Sequence, residues 1–475
     1  MRDDEYVSYD AIGLAELIAR RDVTATEVLE AAIARIAARN PRLNAVVLPM
    51  FDYARDAITA GLPNARLTGV PFLLKDLGQM VAGIVTSNGS RLYAGNRGDH
   101  DSTLVTRYKA AGLVVCGKTN TPELGLATTT EPVLHGPTRN PWQPDFSAGG
   151  SSGGAGAAVA AGFVPIAHAS DGGGSIRIPA SCCGLFGLKP TRGRVPLGPD
   201  ALEGWGGLST VHAVSRTVRD SALLLELTAG EELGAPYFAP PKEAYSTLIE
   251  RPPAPLRIGL CLEPFTGATL DPEVRTIVER AAAFCESLGH RVEHAAPKID
   301  RDEFKSAHGV IAISHCAATI DARLRALGRD LAEADIEAVT RSNYDAAKAI
   351  PAIEFARSMD TIRRLGRQVA EFFTAYDLLL TPTMACPPPK LGALDMNGRD
   401  TSRYLTLLYA MIAFTALFND TGNPAMSVPL GRSANGLPVG VQFVGAFGDE
   451  SLLLRTARQL EAAGAFLPTL APSVA

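Results

Sequence analysis

Ser175 stands in the segment Asp171-Gly-Gly-Gly-Ser175-Ile-Arg177-Ile-Pro179-Ala180. Three consecutive glycines ahead of a serine let successive backbone N–H groups turn inward with no Cβ in the way. Such a nest of donors is what a developing oxyanion needs, and Ser175 beside it would be the nucleophile. A serine alone is too weakly acidic to attack at neutral pH and needs a base. Lys75 ends the apolar stretch Val70-Pro-Phe-Leu-Leu74, and burial there lowers a lysine pKa toward the range where the neutral amine is populated. The chemistry these residue types point to is acyl transfer through an activated serine.

Two other motifs are weaker than they look. Gly112-Leu-Val-Val-Cys-Gly117-Lys118-Thr119 fits the phosphate-binding pattern G-x-x-x-x-G-K-[ST]. That loop requires a strand before its first glycine and a helix after its lysine. Here the strand-like residues lie between the glycines and Pro122 follows closely, so nucleotide binding is not expected. Gly149-Gly-Ser151-Ser-Gly153 fits the nucleophile elbow G-x-S-x-G. That elbow needs a strand leading straight into it, and Asn140-Pro-Trp-Gln-Pro-Asp-Phe-Ser147 makes none. His290, His294, His308 and His315 offer no convincing partner for it, and His168 and His212 read as structural groups.

The elements that must hold these residues alternate. Thr24-Ala-Thr-Glu27 has capping-box spacing, and Val28, Leu29, Ile33 and Ile36 recur at helical intervals up to Asn40-Pro41. Gly69 to Asp76 reads as extended, Leu104 to Ala111 as helix and Leu113 to Cys116 as a short buried strand. The Gly/Ala/Ser-rich stretch from Ser147 to Ser175 contains a helix-competent run, Ala155 to Phe163. Pro236 to Pro255 is the linker candidate. A β-α-β pattern follows: strand Leu256 to Leu262, helix Pro272 to Gly289, strand Arg291 to Ala296. Helices are expected over His308 to Leu327, Ala352 to Phe373 and Glu450 to Ala462. Strands are expected at Asp377 to Pro382, Ser427 to Leu430 and Val439 to Val444, the last two around an Asn435-Gly436 turn. This alternation implies an α/β layered fold.

Of the 475 residues, 46% are hydrophobic and 20% charged, which excludes a disordered chain or a coiled coil. With 45 basic and 50 acidic residues the net charge is −5, so a broad phosphate-gripping surface, and nucleic acid as a partner, are not expected. Seven cysteines without metal-like spacing fit reduced thiols and a cytoplasmic location. The longest uncharged apolar run, Tyr404 to Phe418, falls short of the roughly 20 residues of a bilayer span. It reads as a buried helix, or as one wall of an apolar pocket.

On these motifs the chain resembles the amidase signature family. The hallmarks stand in order: Gly69-Val-Pro-Phe-Leu-Leu-Lys75-Asp76, Gly117-Lys-Thr-Asn-Thr-Pro-Glu123, Gly149-Gly-Ser-Ser-Gly-Gly154, Asp171 to Ala180, Gly187-Leu-Lys-Pro-Thr-Arg-Gly193, Asn419-Asp-Thr-Gly-Asn-Pro-Ala425 and Gly436-Leu-Pro-Val-Gly440. The resemblance implies a central mixed, twisted β-sheet covered by helices on both faces. It also implies one amidase domain over 1–475, with a signature core at about 65–200, a Pro-rich connection at about 236–255 and a C-terminal part completing sheet and pocket. It carries over a triad of Ser175 as nucleophile, Ser151 on a cis peptide as proton relay and neutral Lys75 as base. Gly172, Gly173, Gly174 and Ser175 become the oxyanion hole. Ser152 is expected near Lys75, and Asp171 and Arg177 are expected to brace the glycine loop. Asp76, Lys118 and Lys189 read as scaffold. One departure is Gly172, where many members carry a hydroxyl residue.

Within the family, Thr119 to Glu123, Thr129 to Pro132, Arg139 to Trp142, Arg177 to Ser181 and Gly187 to Arg194 read like the 6-aminohexanoate cyclic-dimer hydrolase branch. That likeness puts Thr128, Thr129 and Cys316 in the substrate pocket, with a buried core thiol as the plainer reading of Cys316. The substrates implied are apolar amides, the cyclic dimer or aryl and fatty amides. Alternatives are a carbamate, a glutaminase subunit of a transamidation complex (disfavoured by the apolar C-terminal half), and a non-catalytic binding protein. The last is opposed by retention of all three triad residues. No metal or cofactor is expected, the small-molecule amide or carbamate is the expected partner, and the assembly would be a monomer or homodimer.

Overall fold

Pleating sends alternate side chains of a strand to opposite faces, and the strands of this chain divide their apolar residues between two layers accordingly. Phe72, Leu74, Val115 and Ile166 pack with one layer; Leu73, Val114, Cys116, Ala167 and Ala169 pack with the other. The structure is a computed structural model that describes residues 1–471 apart from Leu202 and Arg399. The expected span 1–475 therefore includes positions, 202, 399 and 472–475, that lie outside the described residues.

The strands are β1 (Val46–Pro49), β2 (Pro71–Lys75), β3 (Val114–Thr119), β4 (Ile166–Asp171), β5 (Phe186–Lys189), β6 (Thr210–Ser215), β7 (Arg257–Leu260), β8 (Arg291–His294), β9 (Leu378–Pro382), β10 (Ala425–Arg432) and β11 (Pro438–Gly445). They form an 11-stranded sheet in the order β1-β3-β2-β4-β6-β5-β10-β11-β9-β7-β8. β2 runs parallel to β3 and β4, and β7 runs parallel to β8 and β9. The middle of the sheet, from β4 through β6, β5, β10 and β11 to β9, is antiparallel. It is thus mixed, as expected, and the C-terminal strand β10 pairs directly with β5 of the signature region.

Helices Thr103–Ala110, Val218–Thr228, Pro272–Ser287 and Glu450–Ala462 bury apolar faces in the first layer. Gly153–Ala160, Arg177–Cys183 and Ala352–Phe372 do so in the second. Leu73 belongs to this second layer, and Lys75, two residues on in β2, shares its face. The segments carrying Ser151 and Ser175 lead into the first two of these helices. The strand pleat and two helix starts therefore converge on one side of the sheet.

Several boundaries differ from expectation. Helix Ala25–Leu43 has the anticipated Thr24/Glu27 capping box but continues through Pro41. It stops at Asn44, which takes the left-handed conformation (φ 51°). The helix expected from His308 begins at Arg301, because Asp300 caps it by accepting the N–H groups of Asp302 and Glu303 at 2.9 and 3.0 Å. The run Tyr404 to Phe418 is not one buried helix. It splits into Thr401–Met411 and Leu417–Asp420, and Leu405 is 39% exposed.

Candidate active site

Lys75 is fully buried, among Phe72, Leu73 and Leu74 of its own strand. Its Nζ lies 2.7 Å from Ser151 Oγ and 2.9 Å from Ser170 Oγ. Burial, the dominant influence, lowers its pKa from the ordinary lysine value to about 7, against a smaller upward pull from the Asp171 carboxylate. An amine in that state carries a free lone pair at neutral pH. Behind it, the Lys75 backbone N–H donates to His168 Nδ1 at 3.2 Å. Burial first, then the Lys75 charge, pushes His168 down to about 3, so the ring is neutral.

Ser151 follows a cis Gly150–Ser151 peptide. A Cβ on Gly150 would stand 2.5 Å from the Thr129 carbonyl oxygen, so only glycine lets this backbone pass so close. Ser152, expected near Lys75, is bonded to the residue that contacts the amine, Ser170. The Ser152 Oγ donates to the Ser170 carbonyl at 3.1 Å and accepts the Ser170 N–H at 3.3 Å, tying the loop to β4. The second hydroxyl on Lys75 is that of Ser170, which sequence reasoning missed. Its signal is a polar residue directly before Asp171 at the end of an apolar strand.

Ser175 lies between β4 and helix Arg177–Cys183. Asp171, the last residue of β4, folds the intervening glycines around its carboxylate. Oδ1 accepts the Gly174 N–H at 2.7 Å, and Oδ2 accepts the Ile176 N–H at 3.1 Å. Arg177 closes the turn with Nε to Oδ2 at 2.9 Å and Nη2 to Oδ1 at 2.8 Å. Burial would raise the Asp171 pKa, but the Arg177 guanidinium more than offsets it and holds the group far below the usual carboxylate range. Two further residues join this pair. Arg177 also donates to Gln442 Oε1 at 2.9 Å and Asn419 Oδ1 at 2.6 Å, and Asn419 Nδ2 donates back to the Asp171 carbonyl at 2.9 Å. One donor of the expected four is corrected. The Gly174 N–H is taken by Asp171, and Gly174 is buried, whereas Gly172, Gly173 and Ser175 are partly exposed on the cavity wall. Gly174 has a different need for glycine: at φ 137° a Cβ would meet Thr415 Oγ1 at 2.5 Å.

Ser151, Ser170, Gly172, Gly173 and Ser175 line one cavity of about 430 Å³. Its walls are mainly apolar: Leu124, Leu126, Trp205, Tyr404, Leu408 and Ile412 among them. Thr128 lines it. Thr129 does not; it is buried behind Thr128, its backbone pressed against Gly150. Cys316 lines the cavity and is also packed with Leu92, Tyr93 and Leu124. Burial pushes its thiol up to about 12, so it is no nucleophile near neutrality. The helix Thr401–Met411 contributes Tyr404, Leu405, Leu408 and Tyr409 to this wall, the second of the two fates open to that apolar run.

The remaining polar residues are scaffold. Asp76 accepts the Ser87 N–H at 3.1 Å and sits 3.6 Å from Lys118 Nζ; Lys189 Nζ donates to the Pro190 carbonyl at 2.9 Å. His212 Nε2 meets Ser221 Oγ at 2.9 Å. Residues 114–119 of the phosphate-loop lookalike are strand β3. Among the described residues no group of three or more His, Cys, Asp or Glu side chains is placed to hold a metal ion. No helix among them is long and apolar enough to cross a membrane.

This fold and this site together define an amidase, a hydrolase of carbon–nitrogen bonds. The chain belongs to the amidase signature family: residues 27–454 match the family described as Amidase. It is 41% identical over 468 residues to the 6-aminohexanoate-cyclic-dimer hydrolase of Paenarthrobacter ureafaciens, covering 96% of this chain and 94% of that one. A solved structure of 6-aminohexanoate cyclic dimer hydrolase matches at 38% identity and a TM-score of 0.93, over 98% of this chain and 99% of that one. A bacterial aryl acylamidase of the amidase signature family matches at 31% identity and a TM-score of 0.87, over 96% of each chain.

Proposed function

We propose that this amidase cleaves apolar amides through an acyl-enzyme on Ser175, in a single catalytic unit formed by the whole chain. Ser175 Oγ attacks the amide carbonyl carbon. Its proton passes to Ser151 Oγ as the Ser151 proton passes to Lys75 Nζ, so no net charge is left on either serine. The oxyanion is met by the N–H groups of Gly172, Gly173 and Ser175, whose positions are fixed beforehand by Asp171 and Arg177. When the C–N bond breaks, the proton returns through Ser151 to the leaving amine. Water then enters, loses a proton along the same relay and releases the acid.

The observation that carries this reading is the buried Lys75 amine. With a pKa near 7 and a 2.7 Å contact to Ser151, it can take a proton at physiological pH without a histidine. The apolar walls favour substrates such as 6-aminohexanoate cyclic dimer, named for the similar hydrolase, or aryl and fatty amides, over free glutamine. A hydrolysis panel of cyclic amide dimer, anilides, fatty amides, carbamates and glutamine, with products identified by mass, tests it. Turnover of the apolar amides supports the reading. Preferential carbamate cleavage, with loss of carbon dioxide, would move the assignment to the carbamate hydrolase, and glutamine turnover alone would overturn it.

A further inference from the structure

His308 belongs to helix Arg301–Leu327 and lines the cavity. Its Nδ1 lies 2.8 Å from Asp420 Oδ1, and its side chain is 14% exposed against 0% for Asp420. The other face of the ring looks at the glycine nest: Nε2 is 3.7 Å from the point where a Cβ on Gly173 would stand. Among the described residues Asp420 Oδ2 has no hydrogen-bond partner although it is buried, so the carboxylate's interaction is concentrated on His308. Lys305, one turn earlier, lines the same cavity. Neither residue has a part in the proton relay derived above.

We propose that His308, oriented by Asp420, is a specificity-determining hydrogen-bond donor for an oxygen acceptor on the substrate's acyl chain. That acceptor is a second carbonyl or a terminal carboxylate. The inference rests on Ser175 being the acylated group, because that places the acyl chain beside Gly173.

The chemistry follows from the ring's two nitrogens. With Nδ1–H directed at Asp420, Nε2 is a donor only when the ring is charged. Burial opposes that charge, but the Asp420 carboxylate, by proximity and hydrogen bond together, raises the His308 pKa above its ordinary value. The charged side chains around it are few. Arg192 lies beyond Asp420 and donates to the Asn419 and Asp420 carbonyls at 2.9 and 2.6 Å. Lys305 is paired with Asp302 at 2.9 Å. Arg364, across the packed helix Ala352–Phe372, is taken up by Glu303 at 2.8 Å, and behind the nest Asp171 is closed by Arg177. A charged donor in an apolar cavity discriminates strongly, because an acceptor that pairs with it is rewarded and an alkyl group leaves it unpaired.

The test is calorimetric binding to the Ser175→Ala protein of three amides built on the same six-carbon chain: hexanamide, adipamide and adipic acid monoamide. The two ligands with a distal oxygen should bind about 10- to 100-fold more tightly than hexanamide, the range of a hydrogen bond to a charged group. His308→Leu should erase that preference and leave hexanamide binding within about threefold, whereas His308→Gln, which keeps a donor, should retain it for the diamide. Raising pH from about 6 to about 9 should shrink the preference as the imidazolium is lost. If only the carboxylate ligand is favoured, the acceptor is an acid; if both are, a carbonyl suffices. Equal binding of all three ligands, or an equal loss for all three in His308→Leu, would overturn the proposal. Hydrolysis of the amides by the Ser175→Ala protein would instead overturn the acyl-enzyme reading, so the two failures are told apart.

Discussion

Lys75 Nζ lies 2.7 Å from Ser151 Oγ at the end of an apolar strand, buried from solvent and, among the described residues, paired with no carboxylate. An ammonium in that setting would lack its counter-charge, which is why the neutral amine becomes populated near pH 7. Base strength and fold are linked here through one residue.

Activity should therefore rise as pH passes upward through about 7 and level off on the alkaline side. Lys75→Arg should be nearly as damaging as Lys75→Ala, since a guanidinium does not deprotonate in this range. A pH–rate profile of wild type, with single-turnover acylation of both variants, checks this; near-normal acylation by the Arg variant would remove Lys75 as the base.

The same shift has a stability consequence. Between about 7 and the ordinary 10.5 the unfolded chain holds a proton on Lys75 that the folded chain has released. Folding stability contributed by this group thus increases with pH across that window. Lys75→Met, which has no such titration, should match or exceed wild type in denaturant midpoint at neutral pH, with the difference shrinking toward pH 10. Urea melts at several pH values measure it.

Ser170 accepts from the Lys75 amine at 2.9 Å. Ser170→Ala should leave the protein folded and lower kcat by about tenfold, the scale of one lost hydrogen bond. Because an acceptor favours the ammonium over the amine, removing it should also move the activity limb to lower pH. A kcat loss with an unmoved limb would mean that Ser170 only shapes the loop.

Arg177 is fully buried and bidentate on Asp171. Arg177→Met leaves that carboxylate buried and unpaired, at a cost of about 3–5 kcal/mol. Activity should be lost with it, because the glycine turn is built on the same carboxylate. Arg177→Lys should not rescue, since one ammonium cannot reach both oxygens together with Gln442 and Asn419. Thermal unfolding and kcat/KM of both variants decide it.

The residues of the candidate site legible in the sequence are those held by local, type-restricted motifs. Lys75 closes an apolar run and Ser175 follows three glycines, whereas Ser151 enters only through the family resemblance. What stayed hidden depends on contacts between distant segments. Asn419 and Gln442 reach Arg177 from the C-terminal part, and Asp420 of the Asn419-to-Ala425 hallmark reaches His308 on a distant helix. Ser170 stayed hidden because each one-residue step along a strand changes which way a hydroxyl points. The fold shows the same division. Strands with apolar runs of their own, such as β9 and β11, were readable. β4 was masked by the Gly/Ala-rich composition around it; β5 is short, β6 mixes polar with apolar residues, and both acquire their identity by pairing with each other. Pro41 failed as a stop signal because helix Ala25–Leu43 already has a left-handed terminator at Asn44.

The central claim is that Ser175 becomes covalently acylated. A fluorophosphonate probe, followed by peptide mass mapping, tests it most directly, because such probes capture a serine activated beside an oxyanion nest. The label should map to Ser175, be lost in Ser175→Ala and be strongly slowed in Lys75→Ala. A label on Ser151 or elsewhere, or undiminished labelling of the Ser175→Ala protein, would contradict it.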